Sequence, residues 1–196
     1  MKIVILNTGC SNLLSVKLAI HRLGYDVKIS CDKKQIYNSD KVIFPGVGSI
    51  ASVMYQLNRK FLFNVIKKIQ QPFLGICLGM QALSMFSEES GGVNALNIIP
   101  ENVLLLKDNR LVLPHSGWNK VNFSIDNPLF KNITNGDYFY FLHSYAMPLN
   151  DYTIASSVYG INFSSAIQKD NFFGVQFHPE KSGIAGQKIL KNFLCI

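Results

Sequence analysis

The stretch Phe73-Leu74-Gly75-Ile76-Cys77-Leu78-Gly79-Met80-Gln81 limits what this chain can fold into more than any other. A short apolar run begins just after Pro72 and reaches a cysteine with a glycine two residues away on each side. It then continues as Leu78-Gly79-Met80-Gln81-Ala82-Leu83. The pattern predicts a strand, a sharp turn and a helix, with a nucleophile at the tip of the turn. The glycines let strand and helix approach closely around a residue held in a strained backbone conformation. A sulfur at that tip faces the unpaired N–H groups and the dipole of a helix N-terminus, which favour thiolate over thiol. Taken alone, a cysteine in an apolar run reads better as a buried structural thiol, and the flanking glycines shift it toward a nucleophile.

The flanking segments set the fold class. Residues 3–7 read as a buried strand, and Ser11 opens an amphipathic stretch with Leu14, Leu18, Ile20 and Leu23 that stops at Gly24. Residues 25–30 and 42–44 read as the next two strands, a spacing that argues for right-handed parallel units. A long helical pattern follows over about 50–69, closed by Pro72. Beyond Ser87-Glu88-Glu89-Ser90-Gly91-Gly92 the texture changes to short alternating strands at 103–107, 111–113, 138–142, 153–158, 163–169 and 172–177. Asp170-Asn171 sits between the last two as a tight hairpin turn. A final helix covers about 185–194. The 196 residues suffice for one substantial core. The expectation is a single α/β domain over 1–196, with a central mixed, largely parallel sheet flanked by helices and antiparallel strands in the second half.

Composition narrows the function classes. With 48% hydrophobic and 16% charged residues, the chain is neither disordered nor fibrous. Lys and Arg outnumber Asp and Glu by 19 to 12, but the lysines are scattered and build no nucleic-acid-binding arm. No run approaches membrane-spanning length, and residues 1–7 are too short for a signal peptide. Cys10, Cys31, Cys77 and Cys195 form no C-x-x-C pair, so neither a zinc site nor a disulfide framework is expected. Cytoplasmic residence follows, with no metal, nucleic-acid or membrane partner.

A base for Cys77 stands in Phe173-Gly174-Val175-Gln176-Phe177-His178-Pro179-Glu180. Side chains two apart on an extended strand share a face, so His178 and Glu180 are expected side by side. Pro179 cannot donate to a ladder and belongs at a strand end, where an open site would lie. Histidine can take a thiol proton and return it to a leaving amine, while a carboxylate fixes its tautomer. Cys77, His178 and Glu180 therefore make a complete triad. His21, His115 and His143 can each be structural. Pro45-Gly46-Val47-Gly48-Ser49 lacks the Lys-Ser/Thr ending of a phosphate loop. It can be an oxyanion donor beside the N–H of Leu78 or an ordinary glycine turn, and the residues leave both open.

Gly75-Ile76-Cys77-Leu78-Gly79-Met80-Gln81 together with Phe177-His178-Pro179-Glu180 resembles the class I, triad-type glutamine amidotransferases. Within that family the chain is most similar to the glutaminase subunits of imidazole glycerol phosphate synthases. That likeness rests on Pro45-Gly46-Val47-Gly48, Pro114-His115-Ser116-Gly117-Trp118-Asn119, Tyr138-Phe139-Tyr140-Phe141-Leu142-His143-Ser144-Tyr145 and His178-Pro179-Glu180-Lys181-Ser182, which span nearly the whole chain in the family's order. The resemblance implies glutamine hydrolysis without a cofactor. Cys77 would attack the amide, His178 would shuttle the proton, Glu180 would orient His178, and a glutamyl thioester would form. It implies an oxyanion hole from the backbone near Val47 and Gly48 and from the N–H of Leu78, with Gln81, Ser144 and Tyr145 binding glutamine.

The same resemblance implies that ammonia passes to a (β/α)₈-barrel cyclase subunit in a heterodimer serving histidine biosynthesis. There it would yield imidazole glycerol phosphate and an aminoimidazole carboxamide ribotide. Asn12, Trp118, Tyr140 and Lys181 would meet the cyclase, with Lys181 pairing to a partner acid. Departures are local: the loop Asn7-Thr8-Gly9-Cys10-Ser11-Asn12 is less glycine-rich than in relatives, and Ser49 and Ser116 stand where threonine and methionine are commoner. Cys10 has no base in its own segment and reads as packing. A glutaminase serving pyridoxal phosphate synthesis shares the elbow and the His-Pro-Glu turn but should lack the block around Trp118. The PfpI-like stress and peptidase proteins share the elbow cysteine but do not place His and Glu two apart after a hairpin.

Overall fold

Apolar runs without polar alternation need cover on both faces, and the central strands of this protein have it. The computed structural model describes residues 1–9, 12–107, 112–123 and 126–196. Cys10 and Ser11, read above as packing and as a helix start, lie outside them, as does Leu111. In chain order the elements are β1 (Ile3–Leu6), α1 (Leu13–His21), β2 (Val27–Ser30), α2 (Lys33–Tyr37), β3 (Lys41–Gly46), α3 (Ile50–Arg59), α4 (Phe63–Ile66), β4 (Phe73–Cys77) and α5 (Leu78–Gln81). Then come β5 (Phe86–Ser87), β6 (Val93–Asn94), β7 (Asn102–Leu105), β8 (His115–Lys120), β9 (Tyr138–His143), β10 (Tyr145–Ala146), β11 (Thr153–Tyr159), β12 (Ile161–Lys169), β13 (Phe172–Val175) and α6 (Gly183–Cys195). Short 3₁₀ turns occupy Glu89–Gly91, Pro128–Phe130 and Pro179–Lys181.

The main sheet has seven strands in the order β11-β12-β13-β4-β3-β1-β2. From β13 to β2 the strands are parallel, and β12 and β11 add antiparallel pairings at one edge. Alternation along each strand divides the core in two. Ile3, Ile5, Ile43, Leu74, Ile76, Phe173 and Val175 pack with α1, α6 and the inner side of β9. Val4, Leu6, Val42, Phe44, Phe73 and Phe172 pack with α3 and α4. The ends of β3 and β4 are in register, Gly46 opposite Cys77, so the loop after β3 runs beside the cysteine. A hairpin of β8 and β9 and a four-stranded sheet, β10-β7-β5-β6, stand on this carboxyl end. Crevices there are the usual ligand sites of parallel sheets.

Several elements differ from the sequence reading. The long helix expected over 50–69 is two helices. Phe61 takes φ +55°, Leu62 N–H donates to Leu57 O at 2.8 Å and Phe61 N–H to Asn58 O at 3.0 Å, the bond pattern of a Schellman stop. Leu57 and Leu62 are both fully buried, so the hydrophobic contact that goes with such a stop outweighs the cost of a left-handed phenylalanine. The buried face of α1 is Val16, Ala19 and Ile20, whereas Leu14 and Leu18, expected in the core, are exposed. No strand forms over residues 112–113, because the chain enters β8 only at His115. β13 ends at Val175, short of the expected Phe177.

Candidate active site

Cys77 is the last residue of β4 and the residue before α5, with φ +53° and ψ −111°. A non-glycine residue at that φ/ψ is strained, and close packing around it holds the strain in place. A Cβ on Gly79 would fall 1.8 Å from the carbonyl oxygen of Phe44, so only glycine lets α5 lie this close to β3. α5 is a single turn of four residues, too short for the helix dipole invoked from the sequence. What faces the sulfur is local: the Cys77 thiol donates to Leu142 O at 3.7 Å and receives Gln176 Nε2 at 3.7 Å.

His178 and Glu180 do meet, but not by strand alternation. Beyond β13 the chain leaves the sheet, His178 has extended φ/ψ, and Pro179–Lys181 wraps into a 3₁₀ turn. That turn swings Glu180 back until its Oε1 lies 2.9 Å from His178 Nδ1, with both side chains almost entirely buried. The backbone of His178 is fixed from both sides. Its N–H donates to Tyr140 O at 2.9 Å, and Ser182 Oγ donates to its carbonyl at 2.6 Å. Burial pushes the imidazole down, but the hydrogen bonds and charges of Cys77 and Glu180 outweigh it and hold His178 up at about 10.

A cavity of about 300 Å³ opens over the sulfur, lined among others by Val47, Gly48, Leu78, Gln81, Ser144, Tyr145 and His178. Glu89 also lines it and accepts the N–H of Ile50 at 2.7 Å through Oε2, tying the first turn of α3 to the cavity wall. Polar groups set another part of the lining. The Tyr145 carbonyl receives Gln81 Nε2 at 2.8 Å and His143 Nδ1 at 2.9 Å. A carbonyl only accepts, so His143 carries its proton on Nδ1, and its Nε2 accepts from His115 Nδ1 at 3.0 Å. Burial pushes His115 down to about 4 and His143 to about 3, so both are neutral.

A family model described as glutamine amidotransferase class-I matches residues 4–196. The chain belongs to this family. It is 55% identical over 194 residues to imidazole glycerol phosphate synthase subunit HisH of Buchnera aphidicola subsp. Acyrthosiphon pisum (strain APS), a match covering 99% of each chain. It is 56% identical over 194 residues to the protein of the same name from Escherichia coli (strain K12), again covering 99% of each. Among solved structures, a glutamine amidotransferase from Thermotoga maritima superposes with a TM-score of 0.67 at 16% identity, covering 100% of this chain and 83% of the other. PurLQS from Thermotoga maritima gives 0.72 at 14% identity, covering 99% and 97%. These two show the fold, which is the one the sequence predicts.

The residues expected at the partner face, Asn12, Trp118, Tyr140 and Lys181, stand outside the cavity lining, Trp118 and Lys181 exposed and Asn12 and Tyr140 half-buried. Trp118 on β8 is 56% exposed and meets Tyr140 of β9 edge-on at 6.2 Å. Lys181 holds its ammonium 5.6 Å from the centre of the Tyr140 ring. Asn12, expected at the partner face, also donates its side-chain amide to Glu180 Oε1. Sequence reasoning missed Glu89 and Gln176. Glu89 stood in a stretch read only as a change of texture. Gln176 was within reach, because the two-residue spacing that joined His178 to Glu180 also extends back to it.

Proposed function

We propose that this amidotransferase is the glutaminase subunit of an imidazole glycerol phosphate synthase, acting in histidine biosynthesis. The observation that carries the reading is one cavity bordered by Cys77 and His178, with Glu180 bonded behind the imidazole. The full-length likeness to the HisH proteins supports the choice within the family.

Glutamine enters with its side-chain amide at Cys77. Glu89 is the one carboxylate among the described lining residues, and it suits the α-ammonium of an amino acid. Gln81, Ser144 and Tyr145 hold the rest of the substrate. The thiol gives its proton to His178, whose raised affinity favours the imidazolium, and Cys77 Sγ attacks the γ-carbonyl carbon as the thiolate. Negative charge then develops on the carbonyl oxygen, opposite Leu78 N–H and the peptides of Val47 and Gly48. A donor aimed at that oxygen is worth about 10²–10³ in rate. The imidazolium gives its proton to the departing ammonia, leaving a γ-glutamyl thioester. Water, activated by the same imidazole, releases glutamate and restores the thiol. Glu180 keeps the Nδ1 proton in place, so Nε2 is the nitrogen that turns over.

Ammonia formed here passes to a (β/α)₈-barrel cyclase subunit that docks over Trp118, Tyr140 and Lys181. The exposed indole and the cation on an aromatic face suit an interface anchor. Cytoplasmic residence belongs to the same reading. Among the described residues no helix is long and apolar enough to cross a membrane, and Cys31, Cys77 and Cys195 are free thiols. The test is glutamate release with and without the cyclase and its ligand. Turnover is low for the chain alone, rises in the complex and disappears in Cys77→Ala. Equal turnover with and without the cyclase would remove the assignment to that synthase.

A further inference from the structure

The sulfur of Cys77 has a neighbour outside the triad. Gln176 follows β13, is fully buried, and is held by its own N–H donating to Ser165 O at 2.8 Å. Which end of its amide faces the sulfur follows from a chain of bonds that starts at a backbone carbonyl. The Tyr145 oxygen can only accept, so the Gln81 atom 2.8 Å from it is nitrogen. A second proton on that nitrogen points at Gln176 3.0 Å away, so the Gln176 atom there is oxygen. The remaining atom of Gln176, 3.7 Å from Cys77 Sγ, is therefore the NH₂ group. An amide turned the other way would set nitrogen against nitrogen. The side chains of Gln81 and Gln176 are both buried, which limits competition from water for this donor.

We propose that Gln176 is a further catalytic residue of the glutaminase, a donor held on the nucleophilic sulfur by Gln81, which supports the thiolate that attacks glutamine. The proposal rests on the reading of Cys77 as the nucleophile. When the thiol hands its proton to His178, the electron pair left on sulfur faces two groups of opposite character. Leu142 O, which had accepted the S–H, now presents a lone pair to an anion and favours rotation of the sulfur away from it. Gln176 N–H gains, because a donor to a charged acceptor binds about twice as strongly as one to a neutral acceptor. The buried relay Tyr145 O, Gln81, Gln176 thus ties the substrate wall of the cavity to the reactivity of the sulfur. Gln81 has two duties, one to glutamine and one to Cys77.

Alkylation of Cys77 by iodoacetamide reads this without glutamine. The complex with the cyclase is treated across pH, and the modified Cys77 peptide is quantified by mass spectrometry, apart from exposed Cys31 and Cys195. The titratable groups around the sulfur are His178 with Glu180 behind it, His143, and Glu89 and Tyr145 of the cavity lining, and the variants leave all five in place. In Gln176→Met, which keeps the length and loses the donor, alkylation at pH 7 slows about tenfold. The profile moves to higher pH, while the limiting rate at high pH stays near that of the unaltered protein. Gln81→Met moves the profile in the same direction by a smaller amount, and the double variant moves no further than Gln176→Met. A profile within about twofold of the unaltered one at every pH overturns the proposal. So does a uniform slowing without a shift, which is what a role in packing alone would give. If Gln176→Met fails to fold, Gln81→Met decides, and an unmoved profile there is equally fatal. Failure of the unaltered complex to hydrolyse glutamine would instead overturn the glutaminase reading, and the alkylation comparison does not depend on it.

Discussion

The side-chain amide of Asn12 and the imidazole of His178 share one oxygen, Oε1 of Glu180. Asn12 stands immediately before α1, and Glu180 stands in the 3₁₀ turn after His178. Among the described residues, the second oxygen of Glu180 is buried without a hydrogen-bond partner. Orientation of the carboxylate toward His178 therefore depends on Asn12. Replacing Asn12 with alanine should lower kcat for glutamine about tenfold in the saturated complex, with KM changed less than twofold, because a hydrogen bond to a charged group contributes roughly 1.5–3 kcal/mol. Steady-state kinetics at excess cyclase separate this from weakened docking. An unchanged kcat would show that the carboxylate holds its place unaided.

Gly79 and Gly48 border the same site and should respond in opposite ways. A Cβ on Gly79 meets backbone atoms of Phe44, which cannot move without breaking the pairing of β3 with β4. Gly79→Ala should cost about 3 kcal/mol, lowering Tm by roughly 6–12 °C for a chain of this size. Gly48 has φ +99° and open space around the missing Cβ. Its replacement by alanine introduces only backbone strain, about 1–3 kcal/mol, so the fold survives. The Gly48 peptide borders the cavity, and kcat should fall through its altered geometry. Thermal unfolding of the two variants checks the ranking, and a Gly48→Ala protein less stable than Gly79→Ala would contradict it.

The fold and the strand-turn-helix elbow around Cys77 were legible because local pattern and tertiary packing agree there. Both-face burial of β1, β3 and β4 leaves uninterrupted apolar runs, and the glycines around Cys77 are required by contacts of 2.6 Å or less that a Cβ would make. Where other forces intervened, the reading failed. Phe61 ends α3 without a glycine or asparagine, because the contact between Leu57 and Leu62 decides that stop, and such a contact is invisible before the chain is folded. Helical spacing identified α1, but periodicity does not tell a leucine that faces the core from one that faces outward, and Leu14 at 64% exposed is the second kind. The pairing of His178 with Glu180 was expected for a reason the structure replaces, since both a strand and the observed turn bring residues two apart together. Glu89 reaches the cavity through its bond to Ile50, thirty-nine positions away in sequence, and no local pattern announces that.

Three buried histidines shape stability against pH, with two signs. His115 and His143 lie near 4 and 3 because burial disfavours their charged forms, below the ordinary 6.5. Between about 6.5 and 4 the unfolded chain binds more protons than the native one, so stability falls as pH is lowered through that window. His178 is raised to about 10. Between about 6.5 and 10 the native state binds more protons, so its contribution is complete below 6.5 and is lost as pH rises toward 10. Urea midpoints across pH should therefore peak near 6.5. In His178→Gln the alkaline decline should flatten while the acid decline remains. An alkaline arm unchanged in that variant would mean that other groups set it.

Trp118 tests whether an exposed aromatic on β8 serves stability or docking. The indole is 56% exposed and leans edge-on against Tyr140, whose ring carries the Lys181 ammonium and whose carbonyl fixes the N–H of His178. Most of its surface touches no core residue, so Trp118→Ala should change the unfolding free energy of the isolated chain by no more than about 0.5 kcal/mol. Truncating a tryptophan anchor at the centre of an interface costs about 2 kcal/mol or more, which corresponds to roughly a thirtyfold weaker affinity for the cyclase. Lys181→Ala should lose less affinity, because a rim charge in water contributes at most about 1 kcal/mol. Calorimetric titration of each variant with the cyclase, set beside its melting curve, distinguishes the two roles. A Trp118→Ala protein that melts several degrees lower yet binds the cyclase normally would assign the indole to the fold, and the docking face would have to lie elsewhere.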